Sequence, residues 1–141
     1  MQMYAIFWIK DEFAHHYFYK VDLLNQFLKS VATDRQDALL AMQVREITHC
    51  FDADAFLHHI YSQLHCGSHV QVDDNQITIY SDKHFITLHI EKNQIKFLCQ
   101  TLTEAESLLF PLLRSFHPFL FVSGCNLNQY GWLSPYTAEL N

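Results

Sequence analysis

The chain has 141 residues, of which half are apolar and 17% are charged, and its formal net charge is -6 with histidine neutral. This length suits one domain with its own core, and the composition excludes a disordered chain. Lys and Arg form no basic stripe, which disfavours direct binding of nucleic acid. No apolar run approaches the roughly 20 residues that cross a bilayer, so we expect a soluble, cytoplasmic protein with no membrane partner.

The first third of the chain predicts one strand followed by helices. Residues 3 to 9 are apolar and rich in aromatics, which favours a buried strand. Asp11 is predicted to cap a short helix that runs to about Phe18. Apolar spacing predicts three further helices, with caps at Asp22, at Thr33 or Asp34, and at Asp52.

The middle of the chain has a different period. Residues 69 to 100 alternate between apolar and polar side chains in four runs that turn-forming residues separate. This period of two predicts an antiparallel meander with one buried face.

A last helix and a last strand are predicted near the end. Thr103 and Glu106 have capping-box spacing, and Pro111 should kink or break the helix that follows. Residues 119 to 122 predict a closing strand, and the polar segment from residue 126 is expected to be a surface tail anchored by Trp132. This order of elements predicts a single α+β domain over residues 1–141, with helices packed on a mostly antiparallel sheet.

Motifs of known catalytic and metal sites are missing from the sequence. Glu12 and His15 have the Glu-x-x-His spacing of carboxylate-bridged metal sites, but those sites place such pairs on long facing helices, and the helix predicted to carry Glu12 and His15 is short. There is no G-x-S-x-G elbow, phosphate loop or dinucleotide-binding glycine pattern. We therefore expect no catalytic residues, no metal and no cofactor. An active site assembled from residues distant in sequence stays an alternative.

The predicted first helix carries aromatic residues on every side. Phe13 and Tyr17 are four residues apart and share one face, and Ala14 and Phe18 share the neighbouring face. Either both faces are buried, or Ala14 and Phe18 face the core while Phe13 and Tyr17 anchor a partner, as aromatics do at interface hot spots. Periodicity alone leaves both alternatives open.

Two motifs at the ends of the chain resemble a known family. The strings I-K-D-E-F-A-H-H-Y-F at 9–18 and Y-G-W-L-S-P at 130–135 nearly match K-E-E-F-A-x-H-Y-F and Y-G-W-L-N-P. Both are motifs of the sporulation inhibitor of replication family, SirA. Tyr19 stands where that family tends to have Gly, and Ser134 stands where it has Asn.

The resemblance implies a non-enzymatic protein that binds the N-terminal domain of the replication initiator DnaA and blocks its action at the chromosomal origin. It places Phe13 and Tyr17 on the partner-binding surface. Gln43 is the best match for a family glutamine on that surface, and Pro135 matches the proline of the closing motif. The alternatives are a small-ligand or metal-dependent enzyme and an adaptor for another protein. The sequence does not indicate whether the closing segment joins the Phe13 and Tyr17 surface.

Overall fold

The structure is a computed structural model that describes residues 1–33, 38–64, 67–125 and 128–134. Within these ranges the chain forms seven strands in one antiparallel sheet and six helices, which confirms the predicted α+β class. The strands are β1 (Gln2–Trp8), β2 (His69–Asp73), β3 (Gln76–Tyr80), β4 (Phe85–Ile90), β5 (Ile95–Cys99), β6 (Leu120–Gly124) and β7 (Tyr130–Trp132). The helices are α1 (Asp11–Tyr17), α2 (Val21–Thr33), α3 (Ala38–Ile47), α4 (Ala53–Gln63), α5 (Leu102–Leu108) and α6 (Phe110–Phe116).

Strand β1 lies inside the sheet, whose order is β2-β3-β4-β5-β1-β6-β7. Tyr4 and Ile6 point to one face, here called the first face, where α4, α5 and α6 supply the core. Ala5 and Phe7 point to the opposite, second face, which α1, α2 and α3 cover. Because both faces are buried, the β1 sequence is a continuous apolar run rather than an alternating one. The predicted buried strand is confirmed.

The meander is also confirmed, since β2, β3, β4 and β5 pair antiparallel in chain order. Residues of the first face are buried along these strands, as Ile79, Ile86 and Phe97 illustrate. Alternation with a period of two was therefore sufficient to locate this part of the sheet. None of the helices within the described ranges is long and apolar enough to cross a membrane.

The predicted helix caps are only partly correct. Asp52 is the N-cap of α4, where its carboxylate accepts hydrogen bonds from the backbone N–H groups of Asp54 and Ala55. Asp11 and Asp22 are instead first-turn residues of α1 and α2, so their prediction as caps was wrong. Acidic residues are favoured at both positions because both lie at the positive end of the helix dipole. Thr33 lies within α2, and Asp34 lies outside the described residues.

The capping box of α5 lies two residues earlier than predicted. The Glu104 backbone N–H donates to Thr101 Oγ1 at 3.4 Å, and the Thr101 N–H donates to the Glu104 carboxylate at 3.1 Å. Thr101/Glu104 and Thr103/Glu106 have the same spacing, so local sequence could not choose between them. The packed arrangement buries Glu104, whose carboxylate also contacts His84 at 2.9 Å.

The break at Pro111 is confirmed, because α5 ends at Leu108 and α6 begins at Phe110. Proline fits the first turn of α6, where its missing N–H leaves no helical hydrogen bond unmade. The surface tail was wrong over residues 130–132, which form β7 and pair with β6. A three-residue strand is too short to show a period, so its sequence pattern could not reveal it.

The two overlapping Thr-x-x-Glu pairs give a direct test of the cap. Thr101→Ala should lower the free energy of unfolding by about 1 kcal/mol, because it removes the hydroxyl that accepts from Glu104. Thr103→Ala should change it by less than about 0.5 kcal/mol, as is usual for an exposed helix position. Urea unfolding of the two variants measures both values, and an equal loss in both would contradict the assignment.

Candidate partner-binding surface

Helix α1 is held against the second face at its start. The Lys10 backbone N–H donates to the Ile47 carbonyl at the end of α3, at 2.8 Å, and Ile9 forms a β-bridge with Thr48. Ala14 is fully buried against the second face. Seven residues form a marginal helix in water, so these tertiary contacts are what stabilise α1.

Phe13 and Tyr17 are both partly buried at the edge of the second core. The structure matches neither of the two alternatives from the sequence completely, namely full burial of both aromatic faces or full exposure of Phe13 and Tyr17. Ala14 faces the core as the partner-binding alternative requires, but Phe13, Tyr17 and Phe18 each keep only part of their surface in solvent. A ring that is packed on one side and exposed on the other has lost much of its freedom before any contact forms. Such a ring can serve as a preorganised anchor, because less side-chain entropy remains to be lost on binding.

The closing segment of the chain holds the end of α1. The indole ring of Trp132 in β7 stacks on Phe18, with ring centroids 5.1 Å apart and an interplanar angle of 9°. Its Nε1–H donates to the Phe18 carbonyl at 3.1 Å. Phe18 is the C-cap of α1, where helix carbonyls lack intrahelical partners. Trp132 therefore supplies a hydrogen bond that the helix end needs.

Helix α2 is tied to the same two strands. The Tyr130 hydroxyl of β7 donates to the Asp22 carboxylate, and this hydrogen bond is the main reason that the pKa of Tyr130 is raised. The buried Ser123 hydroxyl of β6 donates to Asn25 Oδ1 at 2.6 Å. Sequence reasoning missed both pairs, since their members are 108 and 98 residues apart. Strands β6 and β7 thus fix the start of α2 as well as the end of α1.

The other flank of α1 rests on the corner between α6 and β6. His117 Nδ1 accepts from the Phe119 backbone N–H at 3.0 Å, and its Nε2 lies 3.9 Å from the Asp11 carboxylate. Burial lowers the pKa of His117, although the nearby Asp11 charge acts in the opposite direction. His15 packs its ring edge-on against Phe119. Contacts at both ends of α1 therefore determine where Phe13 and Tyr17 point.

The resemblance also implies Gln43 and Pro135 as partner-binding residues, and the structure describes only the first of them. Gln43 is exposed on α3, one turn before Ile47, whose carbonyl accepts from Lys10. Gln43 and Phe13 thus each lie about one helical turn along the chain from the Lys10–Ile47 hydrogen bond that joins α1 to the end of α3. Pro135 lies outside the described residues.

Metal-ligating side chains are dispersed in the described part of the chain. No group of three or more His, Cys, Asp or Glu residues is placed there to hold a metal ion. Glu12 and His15, which have the spacing of a metal motif, are exposed residues of α1. The contacts that the structure shows around α1 are aromatic: His15 packs against Phe119, and Phe18 stacks on Trp132.

The fold and this site define a small α+β protein in which both ends of the chain build one aromatic surface. Its sequence was compared with known proteins. The family model "Sporulation inhibitor of replication protein SirA" matches residues 2–137. The sporulation inhibitor of replication protein SirA of Bacillus subtilis strain 168 is 25% identical over 137 residues, which cover 94% of this chain and 93% of that protein. The chain belongs to the SirA family, which confirms the resemblance carried by the two end motifs.

The Trp132 contact predicts a selective loss of order in α1. Trp132→Phe keeps a ring for stacking on Phe18 but removes the Nε1–H that donates to its carbonyl. We expect faster amide hydrogen exchange at the C-terminal end of α1, together with a loss of stability of about 1 kcal/mol, as for one net hydrogen bond. Unchanged exchange in α1, with the loss spread evenly over the sheet, would contradict this role.

The lowered pKa of His117 predicts that acid destabilises the fold. Below about pH 6.5 the unfolded chain takes up a proton on this residue more readily than the folded protein does, so the free energy of unfolding falls as the pH falls. His117→Asn keeps an acceptor for the Phe119 N–H but cannot titrate. Its stability should therefore fall less between pH 7 and pH 5 than that of the wild type. A fall in stability as large in His117→Asn as in the wild type would contradict this role of His117.

Proposed function

We propose that this protein is a stoichiometric inhibitor of replication initiation that binds the N-terminal domain of the initiator DnaA. Family membership supports replication inhibition during sporulation, because the family is described in those words. The observation that supports the binding surface is the pair of half-buried rings, Phe13 and Tyr17, on a helix held at both ends by tertiary contacts. The proposal places the protein in the cytoplasm with no cofactor, no direct contact to nucleic acid and no membrane partner.

Phe13 and Tyr17 would insert their exposed parts into apolar hollows of the initiator domain. Gln43, which is exposed on α3, would supply an orienting hydrogen bond. Pro135, which the family motif associates with this activity, would support the surface from the closing segment. An occupied domain could then no longer self-assemble or meet its helper proteins at the origin. This mechanism requires surface complementarity and no catalytic group.

Exposed apolar side chains on α3 are consistent with a wider contact area. Leu39 and Met42 are 64% and 60% exposed. Leu39 lies one helical turn before Gln43, and Met42 is its neighbour in sequence. Large apolar side chains beside a polar residue are typical of interfaces in which a few anchors supply most of the binding energy. They extend the proposed contact surface from α1 onto α3.

Alanine substitution of the anchors tests the proposed surface. Phe13→Ala and Tyr17→Ala should each cost about 2 kcal/mol of binding free energy to the isolated initiator domain, or roughly a 30-fold rise in Kd, by calorimetry. Tyr61→Ala is the matched control, because Tyr61 is 54% exposed on α4, against the first face. It should bind like the wild type.

The controls separate a wrong surface from a wrong partner. Thermal melting must show that each variant is folded, since Phe13 and Tyr17 also pack against the second core. Full affinity in both folded anchor variants would rule out this surface. Failure of the wild-type protein to bind the initiator domain would instead favour an adaptor with another partner.

A further inference from the structure

A separate pocket lies on the first face of the sheet, and all three residues of β7, Tyr130, Gly131 and Trp132, are among those that line it. It has a volume of about 490 Å³, which is within the range of roughly 300–1,000 Å³ typical of small-molecule sites. Strands β1, β6 and β7 and helices α5 and α6 line it. Its polar side chains include those of Tyr4, Glu106, Arg114 and Gln129. We propose that this pocket binds a small carboxylate that also carries a hydrogen-bond donor, such as a hydroxy acid or an amino acid.

The first observation that points to a ligand is the glycine at position 131, within a strand. It lies in β7 between Tyr130 and Trp132, and it lines the pocket. A Cβ atom at Gly131 would meet nothing within 4 Å, and its φ is not in the left-handed region. Neither crowding nor backbone conformation therefore requires glycine there, although glycine weakens a strand. Glycine within a strand is often found where a ligand approaches the backbone closely, and here it keeps the pocket wall open.

The second observation is the guanidinium of Arg114, which is held in place at the pocket. Its Nε–H donates to the Leu133 carbonyl at 2.6 Å, and its guanidinium carbon lies 6.0 Å from the centroid of the Phe110 ring. These contacts orient the guanidinium at the pocket. No carboxylate of the described residues lies within the 4.0 Å of an ion pair with Arg114. Its remaining N–H donors form the planar fork that binds carboxylates with two hydrogen bonds.

The other polar side chains define the second half of the ligand. The Tyr4 hydroxyl lies within hydrogen-bond distance of the side-chain amides of both Gln2 and Gln129, so Tyr4 and Gln129 border the pocket as a hydrogen-bonded pair. Glu106 is exposed on α5, and its carboxylate can only accept when ionised. One guanidinium and one carboxylate at the same pocket favour a ligand with both an acidic group and a donor. A dicarboxylate without a hydroxyl or ammonium group would leave the Glu106 carboxylate without a hydrogen bond from the ligand.

Titration of the full chain with four probes tests this assignment. We expect malate and glutamate to bind saturably with a Kd below about 1 mM in calorimetry, and to bind more tightly than succinate or inorganic phosphate. Arg114→Gln should weaken malate binding at least tenfold. Glu106→Gln should weaken malate binding but leave succinate binding unchanged or stronger. Arg45→Gln, at an exposed arginine of α3, is the matched control and should have no effect.

A second variant is needed because Arg114→Gln removes the hydrogen bond to the Leu133 carbonyl and could therefore unfold the protein. Gly131→Val places a branched side chain in the pocket at a strand position that tolerates it. It should abolish malate binding in a folded protein. The proposal is overturned if no probe binds the wild type, if phosphate binds as tightly as malate, or if folded Arg114→Gln and Gly131→Val both bind normally. The pocket and α1 lie on opposite faces of the sheet, but Trp132 lines the pocket and also stacks on Phe18. Binding of the initiator domain is therefore measured for the same variants, and Glu106→Gln, on α5, should bind it like the wild type.

Discussion

The burial of β1 on both faces is the constraint on which the rest of the structure depends. Tyr4 and Ile6 belong to one core, and Ala5 and Phe7 belong to the other. A strand with two apolar faces needs a covering layer on each face of its sheet. The β1 strand is also central in the sheet, since it pairs with β5 on one edge and with β6 on the other. This position brings the first and last parts of the chain together, because β7 adds to the far side of β6.

The aromatic surface follows from that proximity. Helix α1 is too short to be stable alone, so its position depends on what it contacts. Lys10 binds the end of α3, Ala14 is buried, and Phe18 is stacked on Trp132 and hydrogen-bonded to it. The orientation of Phe13 and Tyr17 is therefore set by residues near the other end of the chain. Two aromatic-rich segments that are far apart in this sequence therefore meet at one surface.

Strand β7 contributes different residues to its two sides. Tyr130 and Trp132 point to the second face, where they hold α2 and α1. Gly131 points to the first face and borders the pocket that contains Arg114, and Leu133 follows it into the first core. Three residues of an edge strand thus link the proposed partner surface to the proposed ligand site on the opposite face. One strand can contribute to both sites because successive side chains along a strand point to opposite faces of the sheet.

The sequence by itself determined the features that depend on neighbours in the chain. The buried first strand, the meander, the Asp52 cap and the break at Pro111 all follow from local periodicity, cap chemistry or the geometry of proline. Tertiary structure alone decided between the two overlapping capping boxes, turned the expected tail into β7, and placed Trp132 on Phe18. The last contact joins residues 114 positions apart. Local patterns could not predict it, because only the pairing of β1 with β6, and of β6 with β7, brings the two segments into reach.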